Sequence, residues 1–357
     1  MSLSSDDERE SIVFDIGSHS ARVGFAGEDA PSVNVQYVTS AEFKETYCYN
    51  GYKLFSSFDD SKLDLLENVI SNCISLLDNS NKGLIKESPA IFSEHFHDIP
   101  SKRENLIELM FEKFEVPAFY TAPCPVLALY SSGRGSGIVL ESGNSVTETI
   151  VIYEGYMIAN SVFSQNRGGA EVTQYLKDHF GSDKSKGEEI AEADFVYLKE
   201  TYSSCSYNEP VTEVKLPDGT VHNLRSTHLK GCTDSLFQCP GFKSLPDMVY
   251  ESVMTASIHS RRDLFCNVIL SGGNTMISGF PALLKNQLEV VMNKRHKGLK
   301  LNVIAAPERK YSTWIGGSIL GSLSCFMNSL LITREEYMES GCSILAKCIS
   351  PKNVIKC

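Results

Sequence analysis

The 357-residue sequence contains no uninterrupted apolar stretch of the roughly 18 residues that a membrane-spanning helix needs. Its opening MSLSSDDERE has neither the basic nor the apolar region of a secretory signal, so a soluble intracellular protein is expected. Basic residues are in deficit: 33 Lys plus Arg stand against 44 Asp plus Glu, a formal charge of −11. That balance argues against a surface built to bind a nucleic-acid backbone. The run Lys294-Arg295-His296-Lys297 reads as a solvated helix end rather than an import signal. Among the 11 cysteines there is no C-x-x-C pair and no His partner at zinc-ligand spacing, which leaves reduced, mostly buried thiols. There is no Walker A sequence, and Gly133-Arg134-Gly135-Ser136-Gly137 precedes its strand, so a dinucleotide fingerprint is excluded as well. What is present is enough apolar material, 42% of residues, for a sizeable core and more than one lobe.

The most informative feature is an internal echo. Ile12-Val13-Phe14-Asp15-Ile16-Gly17-Ser18 is matched by Ile138-Val139-Leu140-Glu141-Ser142-Gly143-Asn144-Ser145, both apolar runs that end in acid-x-Gly-polar. Each reads as a buried strand entering a tight turn, followed by a second strand over Ala21 to Ala26 or Thr147 to Tyr153. The pair suggests a duplicated domain. Glycine lets backbone N–H groups converge on an anion, and Ser18, Ser145 and Thr147 add hydroxyl donors, so two such turns suit a polyphosphate. Asp15 and Glu141 would then hold a divalent cation through water. Two hairpins with ordinary turns are the alternative. A third cluster, Ser271-Gly272-Gly273-Asn274-Thr275-Met276, lies between an apolar strand, Cys266 to Leu270, and a helix from Pro281 onward, the order of a phosphate or ribose site.

At these residues the chain resembles the actin and actin-related protein family. DIGSHSARVGFAGEDAP (Asp15 to Pro31) is similar to the first phosphate loop, and EKFEVPAFYTAPCPVLALYSSGRGSGIVLESG (Glu112 to Gly143) to the hinge and second loop. YLKE (Tyr197 to Glu200), LPDG (Leu216 to Gly219), the third glycine cluster, PERKYSTWIGGSILGSL (Pro307 to Leu323) and ITREEYMESG, where Thr333 and Glu336 also form a capping-box pattern, follow in family order. The resemblance implies an α/β, ribonuclease-H-like duplicated fold of two lobes with a central cleft for ATP or ADP and Mg or Ca. The lobes would comprise residues 1–123 with 313–357, including a shortened outer part at 33–88, and residues 124–312. It also implies nucleotide contacts at Gly17, Ser18, His19, Arg22, Gly143, Asn144, Ser145, Val146, Lys199, Glu200, Gly272, Gly273, Asn274, Met276, Ile277 and Lys310.

Departures from the family pattern carry the functional expectation. The positions that hold the attacking water in an actin ATPase are Cys124, Glu141 and Glu148 here. A thiol orients water poorly, Glu148 adds negative charge, and Glu141 is one methylene longer than the Asp it replaces. Hydrolysis is therefore expected to be very slow or absent, with nucleotide held statically. Arg22 replaces the usual Lys and offers a fork for phosphate. His19 replaces a Gly, and Ile277 an aromatic.

The shortened outer part, with EFKETYCYNGYKLFSSFDDSKLD, and the altered segment PGFKSLPDMVY (Pro240 to Tyr250) point away from polymerisation. The first loop and ELMFE (Glu108 to Glu112) resemble nuclear actin-related proteins of chromatin-remodelling and histone-modifying complexes. The resemblance thus implies a structural subunit in the nucleus, partnered with actin or another relative. A helical segment of a large subunit would sit in a groove of Tyr130, Ile315, Ile319, Leu320 and Leu323. A cytoplasmic, filament-forming or filament-binding cytoskeletal ATPase is the alternative, and core packing is the plain reading of the Ile315, Ile319, Leu323 repeat. Two local signals are expected to be structural: a capping box at Ser101 and Glu104, with Leu106, Leu109, Met110 and Phe114 striped beneath it, and an exposed loop at Glu94-His95-Phe96-His97-Asp98.

Overall fold

A computed structural model describes residues 10–37, 60–77, 83–95, 100–180, 190–205, 211–238, 240–295 and 298–344. The chain forms two compact units, one from Met1–Gly135 with Tyr311–Cys357 and the other from Ser136–Lys310.

In the first unit a sheet runs in the order β14-β5-β4-β1-β2-β3. The strands are β1 (Ile12–Ile16), β2 (Ser20–Phe25), β3 (Val33–Gln36), β4 (Ala90–Glu94), β5 (Ala118–Pro123) and β14 (Ile332–Thr333). β1, β4 and β5 are parallel, whereas β1, β2 and β3 form an antiparallel meander. All five β1 residues are buried, as a continuous apolar run in a covered parallel sheet should be. Strand alternation sorts them between two cores. Ile12, Phe14 and Ile16 join Ala90, Phe92 and Phe119 on one face, under the helix Asp60–Leu77 through Val69, Ile70 and Cys73. Val13, Ile91 and Tyr120 lie on the other, with Leu127, Trp314 and Phe326. There the helix Ser312–Gly321 crosses Cys124–Ser131 so closely that a Cβ on Gly316 would collide with the Leu127 carbonyl. Of the adjacent glycines of WIGGSILG, Gly316 is thus required by the helix crossing, whereas a Cβ on Gly317 would press on Val13 of β1.

The second unit repeats the plan. Its main sheet runs β13-β12-β6-β7-β8, with β9 also paired to β7. Its strands are β6 (Gly137–Ser142), β7 (Thr147–Tyr153), β8 (Tyr156–Met157), β9 (Phe163–Gln165), β12 (Val268–Ser271) and β13 (Val303–Ile304). β6, β12 and β13 are parallel and β6–β7 antiparallel, the same hairpin-plus-parallel arrangement as β1, β2, β4 and β5. The duplication expected from the echo is therefore present at the level of topology. β10 (Val211–Lys215) and β11 (Val221–Arg225) make a separate ribbon around LPDG, where Gly219 adopts φ +92.

Several local expectations change. The helix Pro100–Glu108 already includes Ser101, so Ser101 is not its cap; the stripe beneath it nevertheless packs as expected, with Leu109 and Met110 buried. The working capping box is Thr333 with Glu336. Glu94 is not in an exposed loop: it ends β4, is buried, and receives both Nε and Nη2 of Arg103 at 2.7 and 2.6 Å. His97 and Asp98 lie outside the described residues, as do residues 38–59 and 78–82 of the outer part at 33–88, the tail after Ile344, and His296 and Lys297 of the basic run. Of the described cysteines, Cys73, Cys124 and Cys232 are buried, whereas Cys205, Cys266, Cys325 and Cys342 are not, contrary to the expectation of mostly buried thiols. Burial pushes the Cys73 and Cys232 thiols up to about 12, which keeps them protonated and inert. No described helix is long and apolar enough to cross a membrane.

Candidate functional site

The two glycine turns have the same geometry. Gly17 N donates to Ser20 O at 3.0 Å, and Gly143 N donates to Val146 O at 2.9 Å. Neither glycine has a positive φ, and an added Cβ would meet only the turn's own carbonyl, at 3.5 Å in the first and 3.6 Å in the second. The chain itself would accept a side chain at either position. What glycine preserves there is bare backbone that another group can approach.

The residues around the first turn are supplied by the carboxyl ends of β1 and β4, where open α/β sheets place their ligands. Asp15 is 6% exposed, accepts Arg22 Nη1 at its Oδ2 at 2.6 Å, and accepts Ser93 Oγ at its Oδ1 at 2.8 Å. Arg22 also donates to Ser20 Oγ at 3.1 Å, and its guanidinium lies 5.6 Å from the centre of the Tyr311 ring. The fork expected to face a phosphate is therefore already engaged with its own chain, although Arg22 Nε remains a buried donor with no acceptor among the described residues. Ser18 and His19 lie in the turn, half-buried. Cys124 follows directly after β5 and is buried.

In the second unit three segments interlock. Asn274 Nδ2 donates to Gly143 O at 2.6 Å and to Ser142 Oγ at 3.0 Å, joining the third glycine cluster to the second turn. Gly169 N and Ala170 N, at the start of the helix Gly169–Phe180, donate to Gly143 O at 3.0 Å and Asn144 O at 2.9 Å. A Cβ on Gly168 would strike Gly143 O, and one on Gly272, where φ is +91, would strike Ser142 O. These glycines, unlike Gly17 and Gly143, are required by close packing of the chain on itself. Gly273 has open space around it.

Lys199 is 7% exposed on the helix Glu192–Tyr202 and donates to Gly169 O and Thr173 Oγ1, both at 3.0 Å. Burial pushes its amine down to about 8, against a smaller upward pull from Glu200. Lys310 Nζ contacts both Glu200 carboxylate oxygens at 3.3 Å. Glu141 stands directly across the β6–β7 ladder from Glu148, which is 3% exposed. Met276 is partly exposed, whereas Ile277 belongs to the apolar core. Ser145 and Val146 complete the second turn.

Gly168, Gly169, Ser93 and Arg309 also take part in these arrangements and are not among the residues expected from the sequence. The Gly168-Gly169 pair directly before an apolar-periodic helix was a readable signal; Ser93 and Arg309 gave none. Arg309 is buried and donates to Thr275 O and Ala306 O, each at 2.8 Å, while its own carbonyl accepts Gly272 N at 3.1 Å. It therefore holds the third glycine cluster in place.

Of the expected groove, Ile319 is 42% exposed, and Tyr130, Ile315 and Leu323 are partly buried. Leu320 is 3% exposed inside the core and cannot contact a docked chain, because the side of the helix that carries it faces the sheet. In the segment Pro240 to Tyr250, Asp247 lies in the first turn of Leu245–Thr255, where Ser244 Oγ accepts its N–H at 3.3 Å, so its charge serves the helix end.

Members of the actin family typically bind a nucleotide together with a divalent metal. The family model described as Actin matches residues 6–190 and 188–350 of this chain, nearly its whole length. With the glycine hairpin and its parallel strands present in each unit, the match has a structural counterpart, and the chain belongs to the actin family.

Proposed function

We propose that this chain holds an adenine nucleotide without appreciable hydrolysis, does not polymerise, and acts as a structural subunit of a multiprotein complex. The observation that carries the nucleotide reading is the interlock of the second unit, in which Asn274 ties the third glycine cluster to Gly143 while buried Lys199 reaches Gly169. That arrangement fits the group. The second glycine turn offers backbone to phosphate, the buried Lys199 supplies charge, and Glu200 and Lys310 offer polar partners for a sugar. The nucleotide would supply ligand-linked stability, while the residues only bind and orient it.

Weak hydrolysis is supported by the replacement of water-positioning groups. Cys124 is a buried thiol, and Glu148 places a second carboxylate across from Glu141. A carboxylate pair repels an approaching anionic phosphate and provides no donor to orient water towards it. The partner reading rests on Ile319 with Tyr130, Ile315 and Leu323, an apolar surface suited to one face of an amphipathic helix. Resemblance of the first loop to nuclear relatives favours a chromatin-remodelling assembly, with actin or another actin-related protein beside it.

Extraction of bound nucleotide from the natively purified protein, with mass spectrometry of what accompanies it, tests both parts together. ADP or ATP with defined complex partners is the expected result. Filaments that pellet with Mg-ATP and release phosphate continuously would replace this reading with that of a cytoskeletal ATPase.

A further inference from the structure

The second hairpin carries a chain of hydroxyl groups whose direction is fixed. Thr147 Oγ1 donates to Arg167 O at 2.8 Å, and a hydroxyl has a single proton to give. In its contact with Ser142 Oγ, also at 2.8 Å, Ser142 must therefore be the donor. Ser142 in turn accepts Asn274 Nδ2 at 3.0 Å. Ser142, Thr147 and Asn274 are all buried, so these bonds are shielded from water and losing one strands a polar group in the interior. The Thr147 hydroxyl, expected from the sequence to face a phosphate, spends its proton inward instead.

The chain ends on Arg167, whose side chain leads to the surface. Its guanidinium lies 5.0 Å from the centre of the Phe242 ring, and its Nη2 donates to Ser235 O at 3.1 Å. Phe242 is 47% exposed and follows Gly241, where φ is +86. The same segment is tied to β9 at two more points: Gln165 Nε2 donates to Lys243 O at 2.8 Å, and Lys243 Nζ stands 4.4 Å from the centre of the Phe163 ring. Gln165 and Phe163 pair with Thr147 and Thr149 of β7. Residues 240–244 are thus fastened to a stretch, 163–167, that Thr147 itself holds. Cation–π contacts at an exposed edge are weak, so this fastening can open locally without unfolding the unit. Every residue of the route belongs to the Ser136–Lys310 unit.

Resting on the nucleotide reading above, we propose that the Asn274–Ser142–Thr147–Arg167 chain couples the second glycine turn to the surface segment 240–244. A ligand seated on the bare backbone of Gly143 and Gly273 fixes the third cluster against the turn, and with it Asn274, Ser142 and Thr147. Arg167 is then held in place and the segment stays closed on β9. With the turn empty, the chain of bonds opens more often and the segment opens with it. Such coupling is reciprocal, so a closed segment strengthens ligand binding by the factor with which the ligand favours closure.

The test uses the full-length chain freed of nucleotide, with Mg-ADP as the probe. Calorimetry measures binding, and hydrogen exchange read by mass spectrometry follows residues 240–251, where the Asp247 and Met248 amides bond to Ser244. Exchange there should slow by about 5-fold or more on binding. Thr147→Val keeps the side chain's shape, removes the hydroxyl, and should abolish that slowing while exchange at the turn itself still slows. Phe242→Ala, at an exposed position, should weaken Mg-ADP binding by a similar factor of about 5, and it decides the matter if Thr147→Val fails to fold. Binding that leaves exchange over 240–251 unchanged, slowing that survives in Thr147→Val, or an affinity indifferent to Phe242→Ala would each overturn the coupling and leave the nucleotide reading standing. Absence of Mg-ADP binding to the wild-type chain would remove the nucleotide reading and this inference with it.

Discussion

The hairpins β1–β2 and β6–β7 are copies in backbone and opposites in charge. Their turns close through the same hydrogen bond, Gly17 to Ser20 and Gly143 to Val146. In each, the acid two residues before the glycine faces the residue seven positions later: Asp15 opposite Arg22, Glu141 opposite Glu148. One ladder position thus carries an ion pair in the first unit and two carboxylates in the second. The comparison shows that a duplicated scaffold fixes where a carboxylate stands, while a single cross-strand residue decides whether it faces a cation or a second carboxylate across the ladder.

Glycines of two kinds occur in the chain, those that close packing requires, such as Gly272 and Gly316, and those that leave bare backbone in a turn, such as Gly17 and Gly143. Gly272→Val should break the second unit outright, because it adds branched bulk against Ser142 at a positive φ. A loss of about 4 kcal/mol in denaturant unfolding is expected. Gly17→Ala, in the matching first turn, should change stability by less than about 0.5 kcal/mol while weakening nucleotide binding. Equal destabilisation by the two substitutions would erase the distinction between glycine kept for packing and glycine kept for a ligand.

Arg22→Gln leaves Asp15 buried without its cation and should cost about 3 kcal/mol. Adding Asp15→Asn should recover part of that loss, and strict additivity in the double variant would show that the two do not interact. Lys199 gives a contrast of similar size. Its amine titrates near 8 when folded against an ordinary value of 10.5, so across that window the unfolded chain holds a proton the folded chain has released. Stability contributed by this group is at its lowest below about pH 8 and rises towards pH 10.5, by an amount on the order of 3 kcal/mol. Measured against wild type at each pH, Lys199→Met should remove that rise. Smallest is Glu148→Gln, which relieves the acid–acid pairing in the second hairpin and should raise stability by about 1 kcal/mol at neutral pH. A loss instead would mean that Glu148 is paired more favourably than its ladder partner suggests.

Much of the fold was legible because its strongest signals are local. Acid-x-Gly after an apolar run specified both hairpins, and Thr333 with Glu336 specified a helix start. The opposing pairs were within reach too, since identical turn lengths fix identical registers. Ser101 misled because the helix begins at Pro100, one residue before the expected cap. Leu320 misled because an apolar stripe has the same sequence pattern whether it faces solvent or a core.

The sequence by itself determined the duplicated strand-turn-strand plan, the family, and the positions of the glycine turns, because periodicity and turn chemistry act over a few neighbouring residues. Only the tertiary structure decided that Ser93 joins Arg22 on Asp15, that Gly168 and Gly272 are packing glycines, and that Arg309 holds the third cluster. Those contacts join segments far apart in the chain, and strand order and helix crossing bring them together.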